Sequence, residues 1–493
     1  MTGSASGKTT DLDREFAANT SLHGVARFFD STRLPVRLLW LSILLGCLGV
    51  CVWQITDRFQ RYLLHEATTA VSVEYVGDLD FPAVTICNFN RYRKSALTEA
   101  DVAKLRAYQR YIDYDYDFYD YDSSVGGTPP PDDISDFRFT NFTLRTGFQM
   151  DEDTLLGCLW QSNRNSCTAK NFTHVFTPFG NCWTFNSGED GEKDVPILKQ
   201  TQPGSNNGLV MTIDILQREY TQHLQSGYVE AGLKILVHDQ KTPPPIDSEG
   251  SAIAPGVHAF VGVRKIEYSN LEPPWGKCDK SRRLTYYDKY TLSGCVIECR
   301  ARKIDEECKC RLFSHPGNAV ECTPTQVKDC AIPVIVKLRS GERAGCGCPL
   351  PCNYSEFRTS LSMATLPSNN LRDEIWEELR QEGINDTLPE TYIRDNWILL
   401  DVYYETLNYE KYVQSEAITP SALISDIGGQ LGLFLGASFI TVTEVLHYLG
   451  CKAGRWMTTT CIKVDGKPTH ESAKEVVMEE GQQTSGSKDS TLT

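Results

Sequence analysis

The uncharged run from Leu38 to Ile55, LLWLSILLGCLGVCVWQI, limits the fold of this chain more than any other feature. Its 18 residues approach the roughly 20 that a helix needs to cross about 30 Å of hydrocarbon. Trp40 and Trp53 lie near its ends, where interfacial aromatic side chains are common. A secretory signal peptide is the alternative, but 37 residues precede the run and no small-x-small cleavage site follows it. The run therefore predicts a first membrane span.

A second apolar segment, Ser421 to Tyr448, contains the unusual stretch DIGGQLGLFLGASFITVTEVL. Acids in a membrane helix are costly and usually face a cavity, so Asp426 and Glu444 argue for a water-filled lumen. Two helices cannot enclose a pore, but several copies around one axis would turn each acid into a cation-attracting ring. Gly432 and Gly436 also fit the small-xxx-small pattern of close helix packing. That pattern leaves the adjacent small residues Gly436, Ala437 and Ser438 unexplained, whereas a narrow lumen lined by carbonyls would use them.

The residues between the two spans carry 14 of the 18 cysteines. An even number at this density predicts a disulfide framework in an oxidising compartment. The spacings C-x3-C and C-x-C lack the paired C-x2-C knuckles of a zinc site. Four Asn-x-Ser/Thr sequons support exposure to the secretory lumen, and they begin at Asn141, Asn171, Asn353 and Asn385. We therefore expect a large extracellular middle and two cytoplasmic termini.

Charge and motifs exclude several classes of function. The net charge of −15 does not suit a nucleic-acid partner. GSASGKTT, at 3–10, has three residues rather than four between its glycines and follows no predicted strand, so it does not predict a phosphate-binding loop. We find no nucleophile elbow, zinc-protease helix or dinucleotide fingerprint. The sequence therefore gives no support for an enzyme, a cofactor or a metal site.

Hydrophobic patterning predicts an α+β extracellular domain with a central sheet. Strands are expected in 71–90, 207–216, 231–239 and 258–268, and a strand, tight linker and second strand in 395–413. Helices are expected in 98–112 and 368–383. The ten cysteines from Cys278 to Cys352 indicate a separately stapled helical lobe. The Asp/Tyr-rich insert at 111–133 is a surface loop or, alternatively, a cation or proton site.

Several motifs resemble those of one channel family. DIGGQLGLFLGAS followed by TVTEVLHY is similar to the second transmembrane segment of the epithelial sodium channel/degenerin superfamily, with its Gly-Ala-Ser selectivity belt. SLHG (21–24) and FPAVTICNFNRYR (81–93) resemble two further family motifs. Three others also match, GNCWTFNSG at 180–188, PPWGKC at 273–278 and LNYE at 407–410. The acid-sensing ion channels are the most similar branch, over about residues 20 to 450.

The resemblance implies a fold and an activity. The fold is a trimeric membrane protein with two transmembrane helices per chain and a large disulfide-rich α+β ectodomain, in which a central β-sheet palm carries peripheral helical lobes. The activity is a proton-gated, voltage-independent, Na⁺-selective channel of the plasma membrane, blocked by amiloride and in contact with membrane lipid. A homotrimer is implied, and heteromers are possible. Seven disulfides are also implied: Cys87–Cys182, Cys158–Cys167, Cys278–Cys352, Cys295–Cys348, Cys299–Cys346, Cys308–Cys330 and Cys310–Cys322.

The same resemblance assigns roles in the pore. Gly436, Ala437 and Ser438 match the selectivity belt, Asp426 the acid at the outer mouth and Glu444 the acid below the belt. The motif that lines the cytoplasmic vestibule is matched by His23 and Gly24.

Further roles fall in the extracellular domain. Leu407 and Asn408 match a linker that rearranges during desensitisation, and Trp275 matches an aromatic residue that packs on the top of the first span. The expected domain limits are 1–37 for the cytoplasmic N-terminus, 38–57 and 420–449 for the spans, 58–419 for the extracellular domain with its lobe at 278–352, and 450–493 for a disordered cytoplasmic tail.

Proton sensing departs from the family pattern. The finger loop between Glu219 and Glu230 and the thumb segment CAIPVIVKL (330–338) both lack acids. The histidine pair usual after the first span is replaced at Glu66-Ala67, and an acid usual near the end of the second span is His447. The remaining candidate sensors are Glu219, its family partner Asp401, palm residue Glu410, and His65, expected near Trp275. We prefer His65 as a local switch, because imidazole titrates near neutral pH; the alternative is a structural histidine.

Two other functions remain open from sequence. One is a channel of the same superfamily that a peptide opens or that is open at rest. The other is a disulfide-rich receptor without a pore, against which the Gly-Ala-Ser belt between two acids argues. Outside the framework, Cys47, Cys51, Cys451 and Cys461 are expected to be reduced, and Cys451 is a candidate for palmitoylation.

Overall fold

The computed structural model describes residues 13, 15–113, 137–163, 167–191, 193–221, 229–339, 346–381 and 391–457. They form two compact units, one spanning Tyr62–Thr419 and one made of the two ends of the chain. Several predictions lie outside the described residues: those for GSASGKTT, most of the 111–133 insert, the finger loop at 222–228, the Asn385 sequon, Cys461 and residues 458–493 of the C-terminal tail.

All the described strands lie in the larger unit. In chain order they are β1 Ala67–Tyr75, β2 Leu79–Asp80, β3 Ala83–Asn88, β4 Leu155–Trp160, β5 Phe172–Thr177, β6 Gly180–Phe185, β7 Glu189–Asp190, β8 Lys193–Asp194, β9 Lys199–Gln200, β10 Leu209–Asp214, β11 Leu233–His238, β12 Ser251–Ile253, β13 Val257–Ser269, β14 Asn353–Thr365 and β15 Trp397–Glu416.

The described helices belong to both units. In chain order they are α1 Val25–Asp30, α2 Leu34–Leu63, α3 Glu99–Asp113, α4 Phe139–Thr146, α5 Ile246–Glu249, α6 Leu292–Cys308, α7 Pro324–Gln326, α8 Ile332–Arg339, α9 Asn369–Gln381, α10 Tyr392–Asn396, α11 Pro420–Leu435 and α12 Phe439–Met457. A π-helical turn at Val327–Ala331 precedes α8.

The central sheet has six strands in the order β14-β13-β15-β10-β4, and β1 pairs with β15. Strand β13 runs parallel to β15 and antiparallel to β14. Alternate residues of β15, Ile398, Leu400, Val402 and Tyr404, are completely buried, as the period of two along a strand requires. Burying four large side chains from one strand makes this sheet the core of the larger unit.

A second sheet of five strands, β12-β11-β3-β6-β5, packs its own apolar face into the same core. The Cys87–Cys182 disulfide joins β3 to β6 at directly paired positions. The α+β class with a central sheet is confirmed, as are the predicted helices α3 and α9.

The cysteine-rich lobe is helical, as predicted. Helix α6 begins where the Thr291 hydroxyl accepts a hydrogen bond from the Gly294 backbone N–H, which satisfies one of the free donors of the first turn. All seven pairings implied by the resemblance are present. Five of them lie between Cys278 and Cys352.

Two strand predictions differ from the structure. The stretch 71–90 is divided among β1, β2 and β3, because Pro82 and the turn at 76–78 interrupt it. The stretch 395–413 was expected to hold two strands, but β15 runs unbroken from Trp397 to Glu416. The expected linker survives as an irregularity: Tyr404 pairs with Val263 and Tyr409 with Lys265, so four residues of β15 face one of β13.

The smaller unit contains α1, α2, α11 and α12. Helix α2 is long and apolar enough to cross a membrane, with 30 residues, or about 45 Å at 1.5 Å per residue. The pair α11 and α12 meets the same length and composition criteria only when taken together, and the two are bent by 70°. The second apolar segment is therefore two helices joined by a break at residues 436–438.

Candidate functional site

The break between α11 and α12 begins at Gly436, which adopts a left-handed φ of 64°. Its backbone N–H donates to the Gly432 carbonyl at 3.0 Å, and the Ala437 N–H donates to the Leu431 carbonyl at 3.1 Å. This is the usual helix ending with glycine just past the last residue, because glycine pays no Cβ penalty in the left-handed region. The second glycine of this spacing thus ends a helix.

The break ends at Ser438, which starts α12. The Thr441 N–H donates to the Ser438 hydroxyl at 3.3 Å, and the Ser438 N–H donates to the Thr441 hydroxyl at 3.0 Å. This reciprocal arrangement is that of a capping box, here with threonine at the third position of the helix. Gly-Ala-Ser therefore encodes a helix stop, one non-helical residue and a helix start.

The N-terminal segment lies against this break. The His23 N–H donates to the Leu435 carbonyl at 2.9 Å. A Cβ placed on Gly436 would lie 2.5 Å from His23 Nδ1, so the imidazole occupies the space that any other residue would fill. The Ser21 hydroxyl is 2.5 Å from the Thr441 hydroxyl. Residues predicted to serve the vestibule and the belt thus form one polar cluster.

The two acids predicted for the pore also have partners in the smaller unit. Glu444 Oε2 accepts a long hydrogen bond, 3.5 Å, from the Ser21 N–H. Asp426 lies 3.7 Å from Arg58 Nε, and both side chains are a little over two-fifths exposed. An exposed pair of this kind contributes at most about 1 kcal/mol.

Sequence reasoning missed three members of this site: Ser21, Thr441 and Arg58. Ser21 stood inside the quoted SLHG motif, and Thr441 three residues after Ser438 is a capping-box signal. Arg58 follows the first apolar run by three residues. No sequence signal pairs Ser21 with Thr441, since they are 420 positions apart.

In the larger unit, the ring of His65 packs edge-on against Trp275, with centroids 5.2 Å apart. His65 has a left-handed φ of 50°, and its N–H donates to the Tyr62 carbonyl at 3.1 Å. A non-glycine residue in this region is uncommon, so the turn after α2 fixes where the imidazole points.

The expected gating linker lies within β15. Asn408 pairs with Tyr75 of β1, and its side-chain oxygen accepts a hydrogen bond from Thr406 at 2.8 Å. The Leu407 carbonyl accepts from the Val76 N–H at 3.1 Å. Both residues lie in the stretch where β15 loses its pairing with β13, which is where a strand resists deformation least.

The three candidate carboxylates have separate partners. Glu219 accepts from the Ser95 N–H at 2.7 Å, and Glu410 accepts from the Tyr412 hydroxyl at 3.0 Å. Asp401 is completely buried. These acids therefore do not form one cluster within the chain.

The carboxylate of Asp401 differs from the other two because it is buried and only one of its oxygens has hydrogen-bond partners among the described residues. One carboxylate oxygen accepts from the Ser205 hydroxyl at 2.5 Å and the Asn206 N–H at 3.0 Å. The other is buried without a hydrogen-bond partner in the described part of the chain. Burial raises the pKa of Asp401, against the opposing effects of these hydrogen bonds and of His258.

The predicted glycosylation sites, free cysteines and metal ligands can be compared with the described part of the chain. Asn141, Asn171 and Asn353 are exposed, as glycosylation acceptors must be. Cys47, Cys51 and Cys451 are free thiols. No group of three metal-ligating side chains occurs among the described residues.

Comparison with known proteins agrees with this arrangement. The family model described as "Amiloride-sensitive sodium channel" matches residues 16–448. The bile acid-sensitive ion channel of Rattus norvegicus is 32% identical over 457 residues, covering 89% of this chain and 87% of the relative. Acid-sensing ion channel 2 of Homo sapiens is 34% identical, covering 88% and 85%. Acid-sensing ion channel 1C of Danio rerio is 34% identical, covering 88% and 82%.

A solved structure of a proton-activated chloride channel also matches, but its TM-score of 0.30 and 8% identity over 84% of this chain and 96% of that chain carry no argument. The family match spans nearly the whole described chain and includes the helix break, the N-terminal segment on it and the disulfide-bonded sheet domain. This protein is a member of the amiloride-sensitive sodium channel family.

Proposed function

We propose that this chain forms a proton-gated, voltage-independent, Na⁺-selective channel that amiloride blocks. Three copies surround one axis in the plasma membrane, with α2 and the bent pair α11–α12 as the two spans of each copy. The termini are cytoplasmic and the sheet domain is extracellular. Heteromers with related chains are compatible with this arrangement.

The observation that carries the proposal is the break at Gly436–Ser438. Irregular backbone at membrane depth is tolerated only where it is buried in protein or lines water. Three copies of the break would place free carbonyls and the Ser438 hydroxyl around a narrow lumen. Such groups can replace part of an ion's hydration shell, while Asp426 and Glu444 concentrate cations on either side.

Proton gating rests on the named relatives and on a few titratable groups. Two of the relatives are named acid-sensing, and Asp401 carries a raised pKa. His65 is the candidate local switch, because its ring contacts Trp275.

A second stimulus is favoured by one specific observation. A relative that covers as much of the chain is named for bile acid. An amphipathic anion is therefore the alternative activator, beside a peptide ligand or a channel open at rest.

Whole-cell recording from the expressed chain tests the proposal. Steps to acid should evoke an inward current that amiloride blocks, that has the same activation at all voltages, and that falls when K⁺ or Ca²⁺ replaces Na⁺. A bile acid applied at neutral pH tests the alternative. An amiloride-sensitive current that is present at neutral pH and ignores acid would contradict proton gating while leaving the channel itself supported.

The role of His65 is tested separately by His65→Phe. The substitution keeps an aromatic ring against Trp275 and removes the imidazole. We expect the half-activation pH to move to more acidic values; a curve that overlays the wild type would leave His65 as a structural residue.

A further inference from the structure

A cavity of about 620 Å³ lies between the five-stranded sheet and the cysteine-rich lobe. Three of its lining residues are histidines, one from β5, one from the end of β11 and one from the loop after α6: His174, His238 and His315. None of these histidines belongs to the pore segment or to the expected finger and thumb segments.

Each imidazole is held in an environment that suits its neutral form. His238 Nε2 is 2.8 Å from the hydroxyl of the buried Thr85, and its Nδ1 is 2.9 Å from the Asp239 carbonyl. His174 Nε2 is 2.9 Å from the side-chain oxygen of Asn181. His315 Nε2 is shut off from solvent and has no hydrogen-bond partner among the described residues.

The unpartnered nitrogen of His315 is the most informative atom of the cavity. A buried polar atom without a partner is unfavourable, because it has lost its hydrogen bonds to water. A neutral imidazole nitrogen carries a lone pair, which a proton can occupy. Water admitted into an opened cavity would then solvate the resulting cation.

Burial is the largest influence on the pKa of His315 and of His238; Arg300 also lowers that of His315, whereas Asp247 raises it and Asp239 raises that of His238. The lining residues that carry charge are Glu189, Asp194, Lys241, Asp247, Asp288 and Arg300. Lys241 is paired with Asp194 at 2.5 Å, and Lys289, just outside, is paired with Asp239. Burial raises the pKa of Glu189 against the opposing effect of Lys241, and the charges of Asp288 and Asp194 raise it further.

We propose that this cavity is the proton-binding site of the channel, and that proton uptake by His174, His238 and His315 drives its two walls apart. The proposal rests on the proton gating proposed above. It places acid sensing between the sheet and the lobe. This site does not depend on the acids that the finger loop and the thumb segment lack.

The direction of the effect follows from proton linkage. Burial lowers the pKa of His238 and of His315 to about 4, and it lowers the pKa of His174. An exposed imidazole titrates near 6.5. Between about pH 6.5 and 4, an opened cavity therefore binds more protons than the closed one, so acid favours opening. The closed form has its full stability only above that range.

The test compares a double variant, His174→Gln with His315→Asn, with the wild-type full-length channel. Ser314→Ala is the matched control, because it removes the hydroxyl 3.2 Å from His315 Nδ1 and no imidazole. His238→Asn is made separately. It changes the two hydrogen bonds of the His238 ring and therefore has the greatest risk of misfolding. The first readout is the half-activation pH of the whole-cell current. The second is the fall in Tm of the purified channel in detergent between about pH 7.4 and about pH 5.

We expect the double variant to need more acid, by about half a pH unit or more, and to lose much of the acid-induced fall in Tm. The control should behave as the wild type. An acid current with both readouts unchanged in the double variant would overturn the inference and leave the proposed function intact. No acid current in the wild type, with the fall in Tm still lost in the double variant, would reject proton gating but keep the proton site. No acid current and an unchanged fall in Tm would reject both.

Discussion

Single residues decide the conformation of the pore segment. Position 436 has a left-handed backbone and no room for a side chain beside His23. Glycine is the only residue type that satisfies both conditions. The other glycines of α11 behave differently: a Cβ on Gly428 or Gly429 would meet nothing within 4 Å. The structure therefore requires glycine at 436, whereas at 428 and 429 it leaves room for a side chain.

Gly436→Ala should abolish most of the current. A left-handed residue with a side chain costs roughly 1–2 kcal/mol, and the added methyl group would also displace His23. We expect a current reduced about tenfold or more at normal surface expression, measured by whole-cell recording with surface biotinylation. Gly428→Ala is the control and should retain current. Equal currents in the two variants would contradict the role given to this contact.

Asp401 should make stability depend on pH. Its raised pKa means that the folded protein bears the cost of a buried charge above that pKa and is relieved of it as pH falls. Asp401→Asn removes the titrating charge, so the variant should gain stability relative to the wild type as pH rises from about 4 to about 7. Paired Tm measurements across this range check the trend. A difference that stays constant with pH would remove Asp401 from the list of titrating sites.

At the scale of elements, sequence reasoning succeeded where chemistry is local. The apolar run of α2, the alternation of β13 and the helices α3 and α9 follow from periodicity. The disulfide pairs came from family resemblance, because ten cysteines in one lobe have many possible pairings. The prediction of two strands missed that β15 is continuous. The same residue types occur in tight turns and in irregular strand pairing, and the two can be told apart only from the neighbouring strand.

The start of α12 gives a prediction at this scale. Thr441→Val removes the hydroxyl that Ser438 and Ser21 share, at a cost of about 1 kcal/mol. We expect a looser break and a lower preference for Na⁺ over K⁺, measured from reversal potentials. Thr443→Val is the matched control, since the Thr443 hydroxyl donates to the Ile440 carbonyl of its own helix. A reversal potential that moves in Thr443→Val and not in Thr441→Val would contradict this assignment.

The whole molecule has a surface that one chain leaves uncovered. All nine residues of β1 are exposed, and one face of the strand is apolar: Val71, Val73 and Tyr75 are 56%, 48% and 81% exposed. An exposed apolar strip of this kind marks an interaction surface. We propose that neighbouring copies of the chain cover it in the trimer.

A pair of substitutions tests this assembly. Val71→Asp with Val73→Asp places two charges on the apolar face, whereas Ser72→Asp places one on the opposite face of the strand. The wild type and the Ser72 variant should show three photobleaching steps per fluorescent spot at the cell surface. The Val71/Val73 variant should show fewer. Three steps in all of them would mean that β1 is not needed for assembly.

The contact between Ser21 and Thr441 also bears on how the channel is made. The two residues are 420 positions apart, and a ribosome adds about 5–20 residues per second. The segment that braces the belt is therefore synthesised roughly 20 to 80 s before the belt itself. That segment must wait without its partner until α12 has been synthesised, so the contact between Ser21 and Thr441 can form only late in synthesis.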